Sequence, residues 1–180
     1  LKLHLGCGKR DFGPEWIHID GAHFDHIQQH DIVNLEFPDR SVDLIYACHV
    51  LEYFDRAEVV PVLKEWFRVL RPGGILRLAV PDFGAMTKLY FTGYAKLEQI
   101  LGPMYGKMGM DHHTIYHRTT YDFESLSQLL TGIGFYDVQR YNWKETEHAK
   151  FDDHSQAYLP HMDKENGTLI SLNLECKRSQ

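Results

Sequence analysis

Cysteine is scarce in this chain. Cys7, Cys48 and Cys176 are the only three in 180 residues, and they form neither a disulfide framework nor a close-paired metal motif. A reducing, cytoplasmic setting is the expectation. Basic charge is short as well: 19 Lys and Arg against 25 Asp and Glu give a net charge of −6. That balance argues against a nucleic-acid partner, whose phosphates a binding protein normally meets with basic surface. No uninterrupted apolar run approaches membrane-spanning length and no signal peptide precedes the first strand, so no membrane partner is expected. Internal repeats, low-complexity tracts and linkers are missing too. Residues 1–180 therefore read as one domain with apolar content enough for a core. Histidine is abundant instead, with twelve residues whose placement matters more than their number.

The first twenty residues are the most informative. An apolar strand, Leu1-Lys2-Leu3-His4-Leu5, runs straight into Gly6-Cys7-Gly8, and a second strand closes on an acid in Ile17-His18-Ile19-Asp20. Glycines at a strand exit let the backbone come close to a ligand. A carboxylate at the end of the neighbouring strand can accept hydrogen bonds from both hydroxyls of a ribose. Together they point to a ribose-bearing cofactor. Nicotinamide binding is the rival on this architecture, but it wants a third glycine opening a helix, and Asp11 occupies that position.

Further along, His30-Asp31-Ile32-Val33 reads as a third strand and Val42 to Ala47 as a fourth. Asp55 and Glu58 suit a capping box for a helix running to Leu70, with Val59, Val62, Leu63, Trp66, Phe67 and Leu70 on its apolar face. Arg71-Pro72-Gly73-Gly74 ends that helix, and Ile75 to Val80 follows as a fifth strand. A helix from about Asp122, capped by Gly134, leads to a strand over 135–141, and the last strand spans Thr168 to Cys176. Strands alternating with helices predict an α/β fold with a parallel sheet and right-handed crossovers.

This order resembles the class I S-adenosylmethionine-dependent methyltransferases. The similarity rests on Leu5-Gly6-Cys7-Gly8, Asp20, His30-Asp31-Ile32, the strand around Asp43, Arg71-Pro72-Gly73-Gly74 and Gly134-Phe135. Within that class it is most similar to the small bacterial type 11-like branch, through His49-Val50-Leu51-Glu52-Tyr53-Phe54, the run from Lys64 to Leu70, and the tail from Asp152 to Asp163. The resemblance implies a Rossmann-like, seven-stranded, mostly parallel sheet whose antiparallel last strand lies between the fifth and sixth. It also implies S-adenosylmethionine as cofactor, held by Gly6, Cys7, Gly8, Asp20, Gly21, Asp31, Ile32 and Cys48. In that set Asp20 serves the ribose and Asp31 the adenine amino group, although a turn acid is the plain alternative for Asp31. Phe24 lies either on the adenine face or in the core. One departure stands out. Gly8 and Asp20 are too close in sequence for a full crossover helix, so that helix is reduced to a turn. Lys9 and Arg10 either supply the positive charge its N-terminus would have given or are solvated surface cations.

Two long connections, 82–121 and 142–167, must emerge at the carboxyl edge of the sheet, where ligands bind in such folds. They carry His112, His113, His117, His148, His154 and His161 beside Asp111, Asp152, Asp153 and Asp163. They read either as covers closing over a polar substrate or as solvated loops. Methyl transfer is an in-line displacement helped by a general base where the acceptor is a hydroxyl or protonated amine, and His49 and His117 are the candidates. Glu52, Asp82, His113, Tyr116, His148 and His161 are candidate acceptor-binding residues. The expected partner is a small polar acceptor, for a monomer or homodimer, with no metal. Two other classes stay open. One is a cofactor-binding regulatory module without turnover; the other is a metal-dependent hydrolase using the Asp/His-rich rim, which lacks a tight chelating motif.

Overall fold

A computed structural model of the chain describes residues 1–110 and 113–180. Short apolar runs form β1 (Lys2–Leu5), β2 (Trp16–Ile19), β3 (Ile27–Gln29) and β4 (Val42–Cys48), followed by helix α1 (Val59–Val69) and β5 (Leu70–Pro81). Helices α2 (Phe83–Phe91) and α3 (Leu97–Tyr105) lead to the antiparallel pair β6 (Met108–Met110) and β7 (His113–Ile115). Then come α4 (Phe123–Ile133), β8 (Phe135–Arg140), the short pair β9 (Tyr158–Leu159) and β10 (Thr168–Leu169), and β11 (Ser171–Arg178). The main sheet has seven strands in the order β3-β2-β1-β4-β5-β11-β8. The first five pair in parallel, and β11 runs antiparallel between β5 and β8. This is the Rossmann-like arrangement of class I methyltransferases.

Alternation along the strands sends two sets of side chains to opposite faces. Leu3, Leu5, Ile45, Ala47, Leu76 and Leu78 join Val59, Val62, Leu63 and Trp66 of α1 and Leu126 and Leu130 of α4 in the main core. The reciprocal box before α1 forms as its residues predict. Asp55 accepts from the backbone N–H groups of Ala57 and Glu58, while Glu58 accepts from that of Asp55. Pro61 falls in the first turn, where its missing N–H costs nothing.

Between β1 and β2 the chain makes only turns. The opposite face is covered instead by aromatic and imidazole rings from residues 8–15 and 143–153. Phe12 stacks on His4, His148 and Phe151 with centroids 4.0, 5.1 and 4.8 Å apart, and Tyr46 meets His148 at 4.1 Å. Beneath them the Tyr46 hydroxyl donates to Asp153 Oδ2 at 2.6 Å.

Three boundaries differ from the sequence expectation. The third strand is Ile27–Gln29, not residues 30–33, because the Asp31 carboxylate accepts from the N–H groups of Val33 and Asn34 and folds that stretch into a turn. The fifth strand begins at Leu70. Residues 71–74 bulge out between the pairs Val42–Leu70 and Leu44–Ile75, with Gly73 at φ 74°. The last strand begins at Ser171, since Thr168 and Leu169 pair with β9.

Candidate functional site

The carboxyl ends of β1, β2 and β4 open into one crevice of 1340 Å³, beyond the roughly 300–1,000 Å³ that a single small ligand usually occupies. The turn after β1 forms its floor. Gly6 and Gly8 sit at φ 64° and 54°, conformations that a side chain disfavours. A Cβ on Gly6 would stand 2.3 Å from Val50 Cγ2. At Gly8 a Cβ would meet nothing within 4 Å among the described residues, so it would stand in space left open along the crevice.

Asp20 closes the turn from the end of β2. Its Oδ2 accepts from the Gly8 N–H at 2.7 Å and its Oδ1 from the Ala22 N–H at 2.8 Å, while Gly6 N–H donates to Ile19 O at 2.8 Å. Each carboxylate oxygen keeps a lone pair for a further donor. Gly21, Ile32 and Cys48 line the same crevice, as do Lys9, Arg10 and Phe24. Arg10 Nε also donates to the backbone oxygen of Asp152 at 2.8 Å, which ties the turn to the connection after β8. These residues supply a close-approach turn, a carboxylate and two cations, a donor set that fits an adenosyl cofactor bearing a carboxylate.

Two expected cofactor residues lie elsewhere. Cys7 is buried behind the turn, its Sγ 3.8 Å from His26 Nε2 and its thiol pushed up to about 12 by burial. The Asp31 carboxylate is held by Asn34 Nδ2 at 2.9 Å and by two backbone N–H groups on a separate polar surface, so it is not turned toward the crevice. Hydrogen bonds from Asn34 hold it below the usual carboxylate range.

The far wall gathers imidazoles. His49 adopts φ 54°, a conformation uncommon for a residue with a Cβ, with its N–H held by Ala79 O at 2.7 Å. His117, His154 and His161 line the crevice with it. Behind His49 stands Glu52, fully buried, with Oε1 3.2 Å from His49 Nδ1 and 3.7 Å from His117 Nε2. Burial pushes the Glu52 carboxyl up to about 8 and holds both imidazoles below their usual range. Glu52 therefore faces the histidines rather than an acceptor.

Asp82, His113, Tyr116 and His148 do not border the crevice. Asp82 caps α2 by accepting from Ala85 N–H at 3.0 Å and pairs with Arg140 at 3.1 Å. His113 and Tyr116 are exposed beyond its edge. His148 is 2% exposed in the ring layer under the sheet, and burial pushes it down to about 4. The connection 142–167 thus divides. Its first half folds beneath the sheet in place of the reduced helix, and only residues 152–162 reach the crevice. Asp111 and His112 lie outside the described residues. Sequence reasoning missed the wall built by α3 and β6, where Gly102, Gly106 and Met108 border the cavity. Its one signal was Gly106 at the end of α3. A Cβ there would strike the His117 ring at 2.3 Å.

A family model for a methyltransferase domain, of the type 11 kind, matches residues 3–78. The chain is 28% identical over 126 residues to a demethylmenaquinone methyltransferase of Staphylococcus haemolyticus (strain JCSC1435), covering 63% of this chain and 49% of the relative. A second protein of the same name, from Geobacillus sp. (strain WCH70), is 25% identical over 113 residues, or 59% and 47% of the two chains. The chain spans about half the length of these curated relatives. Among solved structures, a SAM-dependent methyltransferase from Methanosarcina mazei superposes with TM-score 0.60 at 18% identity, over 99% of this chain and 92% of that one. The Burkholderia thailandensis 1,6-didemethyltoxoflavin-N1-methyltransferase, solved with its acceptor and S-adenosylhomocysteine, gives 0.58 at 13% identity over 99% and 71%. These likenesses extend the shared fold over the whole chain.

Proposed function

We propose that the chain is an S-adenosylmethionine-dependent methyltransferase that binds this cofactor in the crevice and methylates a small polar acceptor through an oxygen or nitrogen, a reading supported by the methyltransferase-domain match over residues 3–78 and by the shared fold. When bound, the cofactor would supply an electrophilic methyl group for in-line transfer, with its sulfur as the leaving group. The protein's part is alignment and proton handling. Gly6 and Gly8 admit the methionine portion against the backbone, and Lys9 and Arg10 face its carboxylate. Asp20 takes the ribose hydroxyls, and the backbone of Gly21, Ile32 and Cys48 completes the pocket, with Phe24 beside the base. His49 receives the acceptor's proton, a role suited to an imidazole kept neutral at physiological pH by burial, His154, His117 and Arg10. His117 holds its neighbourhood in place. His161, with Tyr158 beside it on the 152–162 wall, meets the acceptor.

The observation that carries this reading is the 2.7 Å bond from Gly8 N–H to Asp20, which sets a close-approach turn beside a carboxylate that still has acceptor capacity for a ribose. Calorimetric titration of S-adenosylmethionine into wild type, Asp20→Asn and Asp20→Ala tests it. Asp20→Asn keeps an oxygen for the Gly8 N–H but loses an acceptor, and Asp20→Ala loses both. We expect affinity to fall about tenfold or more in each, ~1.4 kcal/mol per decade. Equal affinity in all three proteins overturns the assignment. Transfer of a labelled methyl group to candidate acceptors, lost in His49→Ala, distinguishes an enzyme from a module that binds without turnover.

A further inference from the structure

Glu52 sits in the short helical turn Leu51–Tyr53, 0% exposed, and among the described residues neither carboxylate oxygen completes a hydrogen bond. An ionised carboxylate buried with nothing but its own backbone N–H to meet it is very costly, and burial outweighs that contact, so this one holds a proton. The surrounding tautomers say the same. His117 Nδ1 lies 3.1 and 3.2 Å from the backbone oxygens of Pro103 and Met104, so it carries the ring hydrogen and donates to them. Its Nε2 then turns a lone pair toward Glu52 Oε1, 3.7 Å away. At that distance no hydrogen bond forms, so His117 offers no donor to an ionised Glu52, and a neutral carboxyl avoids setting a negative charge against the lone pair.

Among the described residues, Glu52 also acts on Cys48, Tyr53 and Tyr121, each pushed up by burial and so neutral, with Tyr53 at about 12. Next to His49 stands His154, centroids 5.1 Å apart, itself held down by burial. Beyond them is Arg10, a fixed positive charge. The carboxyl is thus separated from the crevice by one imidazole, in surroundings that screen charge poorly.

We propose that Glu52 is a proton store that senses the charge in the crevice: protonated when no cation is present, and ionised, with its proton released to solvent, when the sulfonium of the cofactor lies beside His49. This rests on the cofactor reading above. Glu52 gives up only the hydrogen of its O–H bond; the bonding electrons stay on the carboxylate and nothing is oxidised or reduced. A cation across a poorly screening wall favours the charged form of a carboxyl. Ionised Glu52 makes His49 a stronger base through the contact at 3.2 Å. It does so when an acceptor O–H or N–H must lose its proton. That proton passes through His49 to Glu52, and once the sulfur is neutral the carboxyl is stable again in protonated form. The net result of a cycle is one proton released on cofactor binding and one retained from the acceptor.

The test needs no acceptor. Titrating S-adenosylmethionine at pH 7 in phosphate and in Tris, whose ionisation heats differ, counts protons released on binding. We expect about one half to one proton per cofactor in wild type. We expect about none with S-adenosylhomocysteine, which lacks the charge, and about none with either ligand in Glu52→Gln. The carbon-13 resonance of the wild-type Glu52 carboxyl reads the same event without a variant, protonated in the free protein at pH 7 and moving to the carboxylate position with S-adenosylmethionine. Binding without proton release, equal release with both ligands, or a carboxyl already ionised in the free protein overturns the proposal while leaving the cofactor reading intact. Failure of S-adenosylmethionine to bind overturns both.

Discussion

At the scale of single residues, the crevice depends on backbone conformations that ordinary side chains avoid. Gly6 combines φ 64° with a Cβ position 2.3 Å from Val50, so Gly6→Ala meets strain and a collision together. We expect a loss of ~2–4 kcal/mol, from left-handed strain plus overpacking, read as a lower denaturant midpoint at unchanged slope. A midpoint equal to wild type would mean the turn adapts freely and is not held by Val50. Gly8→Ala separates the two roles. Its φ of 54° carries strain, but its Cβ meets only open space, so it should cost less stability than Gly6→Ala and weaken cofactor binding more. His49 bears the same kind of strain at φ 54° without glycine's freedom. Such positions concentrate where a side chain must be presented at a fixed angle, consistent with the role proposed for it.

At the scale of elements, the ring layer under the sheet replaces the missing first crossover helix. It also anchors the 152–162 wall, because the buried Tyr46 hydroxyl holds Asp153 at 2.6 Å while Ser155 N–H and Oγ donate to the other carboxylate oxygen. Tyr46→Phe leaves one oxygen of a buried carboxylate unsatisfied and should cost ~1–3 kcal/mol. In a chain of this size that lowers the melting temperature by about 2–4 °C per kcal/mol. Backbone amide exchange should accelerate in residues 152–162 relative to β4. An unchanged melting temperature would show that the wall is held by its remaining contacts alone. None of this layer was legible beforehand. His148, Phe151 and Asp153 lie in a segment without periodicity, and imidazoles near a predicted ligand edge read as functional until stacking with Phe12 and Tyr46 places them in the core. The parallel strands and α1 were legible, because alternation, capping residues and a helical apolar stripe are local signals. β3 was displaced because Asp31 bonds to its own downstream backbone, which composition does not reveal.

For the whole molecule, the buried titratable groups make stability depend on pH from both sides. Glu52, raised to about 8 from an ordinary 4.5, binds a proton more readily folded than unfolded. Its contribution is full below the unfolded value and is lost as pH rises toward 8. His4, His49 and His148, lowered from 6.5, act oppositely, and their contribution is lost as pH falls below 6.5. Glu52→Gln should therefore lose less stability than wild type between pH 5 and 8, measured by urea unfolding across that range. Parallel curves for the two proteins would contradict a protonated Glu52. No helix among the described residues is long and apolar enough to cross a membrane. The lining of the crevice was legible where it depends on strand ends, as at Gly6, Gly8, Asp20, Cys48 and His49. It was not legible at α3 and the folded-back connection, which reach the crevice only through tertiary packing. The most direct measurement is a crystal structure with S-adenosylhomocysteine. The account predicts the ribose hydroxyls on the Asp20 carboxylate, the amino-acid end over the Gly6–Gly8 turn and the sulfur facing His49. Ligand bound away from that turn, or with its ribose remote from Asp20, would contradict it.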